Sequence, residues 1–285
     1  MKVNSGAVDL IVQGEISGDT FPALVFYPSL HEENEVRKGP YSMQLAWEAP
    51  IAPGHFPLVV ISHGTGGTHL GYRDLARTLA RDGYVVVMPE HTGNNRIDNS
   101  REGTDENLLK RPHHITDAID AALSSGALGH SIDASRIAVI GHSMGGYTAL
   151  AAAGGKPRNE MREPILVRAD DRIRALVLMA PATPWLQGSG TLDEITAACL
   201  IFSAEHDVFT NSWHTDVVLN GYPEQSPIRH IPIANAGHFS FMSPFPAPMK
   251  QIPGFLPAQD PEGFDREAFQ LLLAKDMMVF FELNL

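Results

Sequence analysis

The sequence predicts an α/β architecture with a mostly parallel central sheet and helices on both of its faces. Three observations carry that prediction. Short runs rich in β-branched residues alternate with segments of helical spacing along most of the chain. Several of those runs are apolar throughout, as strands covered on both faces are. A Gly-x-Ser-x-Gly pentapeptide, Gly141 to Gly145, stands between one such run and an alanine-rich helical segment.

Taken in order, residues 8–13 and 23–27 read as two early strands paired at a sheet edge. Residues 32–55 are mixed, with several Gly and Pro, and read as connection. Residues 58–62 form a short buried strand ending at His63-Gly64. Residues 72–81 have helical spacing, with Leu75, Ala76 and Leu79 on one face, and stop at Gly83. A strand at 84–88 and a helix at 115–123 follow, with Pro112 near the start of that helix. Strands at 136–140, 174–179, 198–202 and 228–233 then alternate with helices at 144–153 and 213–219. Residues 266–283 form the closing helix. Strand–helix alternation implies right-handed crossovers. Ligands in such sheets bind beyond the carboxyl ends of the strands, and each polar motif described below falls at such an end.

The chain has 285 residues, 44% hydrophobic and 19% charged, enough for one large α/β domain with a substantial core. The expectation is a single domain over 1–285, with short cap or pocket segments near 92–110, 154–171, 184–196 and 239–256. The formal net charge of −12 repels phosphate backbones, so nucleic acid is not an expected partner. Cys199 is the only cysteine, which excludes an intrachain disulfide, and its apolar neighbours predict a packed, inert thiol. No apolar run reaches the length of a membrane span. The first residues lack an apolar leader region, and the expected location is cytoplasmic.

Ser143 is the candidate nucleophile. Such a serine must sit on a sharp, strained turn that lifts its hydroxyl above the sheet. Side chains at Gly141 and Gly145 would collide with the neighbouring strand and helix. The following helix points its positive end at the reacting centre. His142 reads as a positional neighbour. The segment Ser62-His63-Gly64-Thr65-Gly66-Gly67 follows an earlier central strand and matches neither phosphate-loop pattern. Its role is an oxyanion hole, with the backbone N–H groups of Thr65 and Met144 as donors and His63 as loop support.

A serine hydroxyl needs a base, and the base needs an orienting acid. In chain order the acid follows the serine and the histidine follows the acid. Asp207 and Glu205 both lie just past the strand at 198–202, and Asp207 is preferred because this loop delivers its acid a few residues beyond the strand. His238, past the last strand, is the base. His230 lies inside that strand. His91, His113 and His114 precede the serine and violate the order, and no compact ligand set accompanies them, so no metal is expected.

These motifs resemble the α/β-hydrolase superfamily, in its branch of platelet-activating-factor acetylhydrolase-like and dienelactone hydrolase-like serine hydrolases. The resemblance rests on Phe56-Pro57-Leu58-Val59-Val60-Ile61-Ser62-His63-Gly64, Leu79-Ala80-Arg81-Asp82-Gly83-Tyr84-Val85-Val86, Gly141-His142-Ser143-Met144-Gly145-Gly146 and Ala236-Gly237-His238-Phe239. Dienelactone hydrolases use a cysteine where this chain has Ser143. The resemblance implies the α/β-hydrolase fold, a small or medium-sized carboxylic ester as substrate, an acyl-enzyme intermediate and no cofactor. It is compatible with a monomer or a homodimer. An amidase or peptidase, a C–C hydrolase and a non-catalytic binding protein are the alternatives, and the complete Ser–acid–His set weighs against the last. The stretch after His238 is rich in aromatic and apolar residues. Phe239, Phe241 and Phe245 are expected to line an apolar pocket, or else to pack under the closing helix.

Overall fold

A computed structural model describes residues 3–285. Ten strands make one sheet. They are β1 (Asn4–Gln13), β2 (Thr20–Ser29), β3 (Asn34–Lys38), β4 (Tyr41–Trp47), β5 (Phe56–Ser62), β6 (Val85–Pro89), β7 (Ile132–His142), β8 (Ile173–Met179), β9 (Ala198–Ala204) and β10 (Ile228–Ile233). The helices are α1 (Arg73–Arg81), α2 (Asp105–Ser124), α3 (Met144–Ala152), α4 (Ser212–Gly221), the single turn α5 (Ala247–Lys250) and α6 (Arg266–Asn284). The spatial strand order is β10-β9-β8-β7-β5-β6-β2-β1-β4-β3. Strands β5 to β10 are mutually parallel, whereas β2 runs antiparallel to both β6 and β1.

Side chains of a strand alternate between faces, and β5 shows the result. Leu58 and Val60 pack with Ile115 and Ile119 of α2 and Leu150 of α3. Val59 and Ile61 enter the opposite core with Leu75 and Leu79 of α1 and Leu273 and Met277 of α6. Both sets are essentially inaccessible to solvent, which is why these strands read as continuous apolar runs. From β5 the chain moves outward to β6, then crosses back to β7 on the other side of β5. The loops after β5 and β7 therefore diverge, and a crevice opens at the carboxyl edge between them.

Two expectations are corrected. The region read as connection contains β3 and β4. Strand β4 buries Tyr41, Met43 and Leu45 and exposes Ser42 and Gln44, a period-two pattern obscured by Gly39-Pro40 before it and Pro50, Pro53 and Gly54 after it. The helix expected at 115–123 begins ten residues earlier, with Thr104 accepting a hydrogen bond from the Asn107 N–H as N-cap and Asp105 and Glu106 in the first turn. Pro112 lies inside this helix. A proline there frees the carbonyl four residues back. That carbonyl, on Leu108, instead accepts the Tyr147 hydroxyl at 2.8 Å, so a tertiary contact supplies what the helix lacks. No helix among the described residues is long and apolar enough to cross a membrane.

Candidate active site

Ser143 sits at φ 55°, ψ −120°, a conformation an L-residue adopts only when its surroundings impose it. Here they do. The Ser143 N–H donates to the Met179 carbonyl at 3.0 Å, and its own carbonyl accepts from Gly146 at 2.8 Å and Ala182 at 2.9 Å. A Cβ on Gly141 would stand 2.0 Å from the Gly145 oxygen, and one on Gly145 would stand 2.1 Å from the Ser62 oxygen. Strand, turn and following helix thus meet backbone to backbone. Gly64 also packs closely on the serine, though less tightly, its virtual Cβ lying 3.2 Å from Ser143 Cβ.

Past β9, Asp207 is buried and collects hydrogen bonds. Its Oδ1 accepts the backbone N–H groups of Phe209 and Thr210, each at 2.8 Å. Its Oδ2 takes the Thr210 hydroxyl and His238 Nδ1, each at 2.8 Å. Burial disfavours the charge, but the bonds from His238 and Thr210 outweigh it and hold the carboxyl at about 2. An ionised Asp207 fixes Nδ1 of His238 as the protonated nitrogen. Glu205, the rival acid, is exposed, and its Oε2 accepts the Asn235 N–H at 2.7 Å, shaping the turn before His238.

Ser143 and His238 line one cavity of about 330 Å³ together with Thr65, Phe209, Phe239 and Met242. Among the described residues Ser143 Oγ and His238 Nε2 make no hydrogen bond, a loose approach of the kind ligand-free sites often show. Among the described residues the N–H groups of Thr65 and Met144 have no protein acceptor; Thr65 lines the serine cavity and Met144 directly follows Ser143. Glu102, from the segment at 92–110, closes another side of the cavity. Glu160 and Trp185, from the segments at 154–171 and 184–196, line a neighbouring cavity that also touches Thr65 and Met144.

The three phenylalanines separate. Residues His238–Phe241 form a 3₁₀ turn, in which residues two apart point in different directions. Phe239 reaches the serine cavity, whereas Phe241 is fully buried against Phe269 of α6. Phe241 is thus a core residue, which corrects its expected place in the pocket. Phe245 lines an adjacent chamber. Phe209, half exposed and 5.1 Å from the His238 ring, completes the wall and was not anticipated, since a lone aromatic in a loop carries no periodic signal.

His142 does more than stand beside the serine. Its Nδ1 accepts the Tyr72 hydroxyl at 2.7 Å and its Nε2–H donates to the His238 carbonyl at 2.8 Å. Complete burial pushes its pKa down to about 3. The neutral ring links the loop carrying His238 to the segment before α1. The loop 63–67 is braced as well. His63 Nε2 accepts the His91 N–H at 3.1 Å, and its Nδ1 is bonded to the Gly64 carbonyl at 2.8 Å. Arg111, entirely inside the protein, donates to the His63 carbonyl, to Asn94 Oδ1 at 2.7 Å and to Thr148 Oγ1 at 2.9 Å. Burial lowers its pKa to about 9. His91 and His114 continue this network toward Asp19, away from the cavity.

Fold and site together define a class of architecture: a mostly parallel sheet with a serine at a strand-to-helix elbow. The chain belongs to the α/β-hydrolase superfamily, whose profile, described as alpha/beta hydrolase fold, matches residues 57–198. It is 30% identical over 183 residues to the cutinase est2 of Thermobifida alba, which covers 64% of this chain and 52% of that protein. It is 24% identical over 223 residues to the bis(hydroxyethyl) terephthalate hydrolase of Streptomyces coelicolor, covering 72% of this chain and 63% of that one. The chain thus spans somewhat over half the length of these relatives. Among solved structures, a ferulic acid esterase from Streptomyces cinnamoneus superposes with a TM-score of 0.76 at 19% identity, over 100% of this chain and 91% of that one, a likeness of fold.

Proposed function

We propose that this protein is a serine esterase that cleaves a small or medium-sized carboxylic ester through an acyl-enzyme. The observation that carries the reading is the buried Asp207–His238 pair at 2.8 Å, opening onto the same cavity as the strained Ser143. In the first half-reaction Ser143 Oγ attacks the acyl carbon while His238 Nε2 takes its proton. Asp207 keeps Nδ1 protonated and stabilises the imidazolium. The N–H groups of Thr65 and Met144 hold the oxyanion, an effect of about 3 kcal/mol for one donor. His238 then protonates the departing alcohol. Water enters by the same route, loses its proton to His238 and releases the acid. The relatives' names, cutinase and bis(hydroxyethyl) terephthalate hydrolase among them, support ester cleavage over amide or C–C cleavage.

The test is hydrolysis of p-nitrophenyl esters by the wild type and Ser143→Ala. Turnover in the wild type, with a loss of about 10⁴-fold or more in the variant, is expected. Wild-type protein that neither turns over esters nor reacts with a fluorophosphonate overturns the proposal.

A further inference from the structure

A second chamber lies beside the serine cavity. It measures about 350 Å³, and its walls include Tyr41, Leu70, Phe245, Met249, Ile252 and Phe255. It shares Gly66, Gly67, Thr68, Met242 and Pro257 with the serine cavity, so the two spaces meet along the oxyanion loop and the Met242 side chain. Met242 lines both spaces, and its methyl abuts Gly71, where a Cβ would come within 2.9 Å of it.

The chamber is built rather than incidental. The segment 242–258 has little regular structure of its own, and two buried guanidinium groups hold it. Arg73 donates to the Pro244 carbonyl and stacks 4.0 Å over the Tyr41 ring, joining the segment to β4. Arg266 donates to the Pro257 carbonyl at 2.8 Å and pairs with Asp260 at 2.9 Å. Phe245 and Phe255 meet edge to face at 5.4 Å. A second neighbour of the serine cavity, meeting it at Thr65 and Glu102, is of another character. The cavity that touches Thr65 and Met144 there carries Glu102, Asp105 and Glu160, which disfavour an apolar group.

Resting on the esterase reading, we infer that the chamber beyond Met242 is a subsite for a hydrocarbon or aryl group of the ester, preformed by Arg73 and Arg266. An ester held at Ser143 places its apolar end past Met242 and its more polar end toward Glu102. Apolar groups leave water favourably in proportion to the area buried, and the chamber is within the size range of small-molecule pockets. Whether the acyl or the alcohol portion enters follows from which substrate series responds.

Two series test this: p-nitrophenyl esters of increasing acyl length, and acetate esters of alcohols of increasing length. In one of them wild-type kcat/KM rises by roughly three- to fourfold for each added methylene until the chamber is full. Met249→Trp fills the chamber and lowers the ratio of long-chain to short-chain kcat/KM at least tenfold in that series. Phe255→Ala enlarges it and moves the optimum to longer chains. Circular dichroism establishes that both variants fold. Response in the acyl series assigns the acyl group to the chamber, and response in the alkyl series assigns the alcohol. If hydrolysis depends on Ser143 but neither variant moves either profile, the subsite is overturned while the esterase reading stands. If the wild type lacks both turnover and fluorophosphonate labelling, the esterase reading falls and takes the subsite with it.

Discussion

Two histidine–aspartate pairs in this protein have nearly the same geometry and opposite surroundings. His238 Nδ1 lies 2.8 Å from Asp207 Oδ2, and His114 Nε2 lies 2.9 Å from Asp19 Oδ2. In the first pair the far nitrogen faces a cavity that also holds Ser143. In the second it faces His91 Nδ1 at 3.1 Å, deep in the protein. The donors there run one way. Arg111 donates to Ser62, Ser62 to His91, His91 to His114, and His114 to Asp19, each histidine staying neutral. Burial drives the His91 and His114 pKa values down, while the bond from His114, helped by Arg101, holds Asp19 well below the usual carboxylate range. An acid–histidine contact is therefore a common structural unit. It becomes a candidate base only where its second nitrogen is free and a nucleophile shares the space.

Exchanging the two acids for amides breaks the comparison most severely. Asp207→Asn presents the wrong group to Nδ1 and lowers kcat by about 10⁴-fold. Asp19→Asn leaves kcat close to that of the wild type and lowers the unfolding free energy by about 2 kcal/mol. Steady-state kinetics and urea titration on both variants read this out. Equal losses of turnover would erase the distinction.

Removing the cation at the head of the structural relay has the next largest effect. Arg111→Met strands the His63 carbonyl and Asn94 Oδ1 inside the core, while the Thr148 hydroxyl keeps its bond to the Met144 carbonyl at 2.9 Å. The expected cost is about 3 kcal/mol, because buried groups left without partners each forfeit their solvation. Chemical denaturation measures it, and an unchanged midpoint would show that the loop holds without this brace.

A last test sharpens the contrast through pH. His142 titrates at about 3 when folded, against 6.5 as an ordinary histidine. Between those values the unfolded chain binds a proton that the folded chain refuses, so stability falls as the pH drops. The slope is about 1.4 kcal/mol per pH unit for one such group. His142→Gln should flatten the pH dependence of unfolding by that amount. A slope identical to the wild type would mean that the ring is protonated in the folded state.

Much of the fold was legible because its signals are local. Gly141, Gly145 and the apolar runs at 58–62 and 174–179 announce strand, elbow and parallel sheet within a few residues. The last strand, 228–233, was read with the bounds it has. Candidate site residues stood out where chemistry and chain order coincide, as at Ser143, Asp207 and His238. Other elements left no such trace. Strand β4 was masked by the Gly and Pro residues on either side of it, and the first half of α2 by Pro112, whose freed Leu108 carbonyl is satisfied from Tyr147 on another helix.

The sequence by itself determined the strand-to-helix elbow and the order of nucleophile, acid and base candidates, because covalent neighbours dictate those. Tertiary structure alone decided which phenylalanine faces the cavity, that His142 ties Tyr72 to the loop of His238, and that Arg111 supports the loop at 63–67. It also set β4 and the segment after His238 around one chamber. These are contacts between residues tens of positions apart. Their existence depends on how the sheet twists and which loops it brings together, and spacing along the chain carries no record of that.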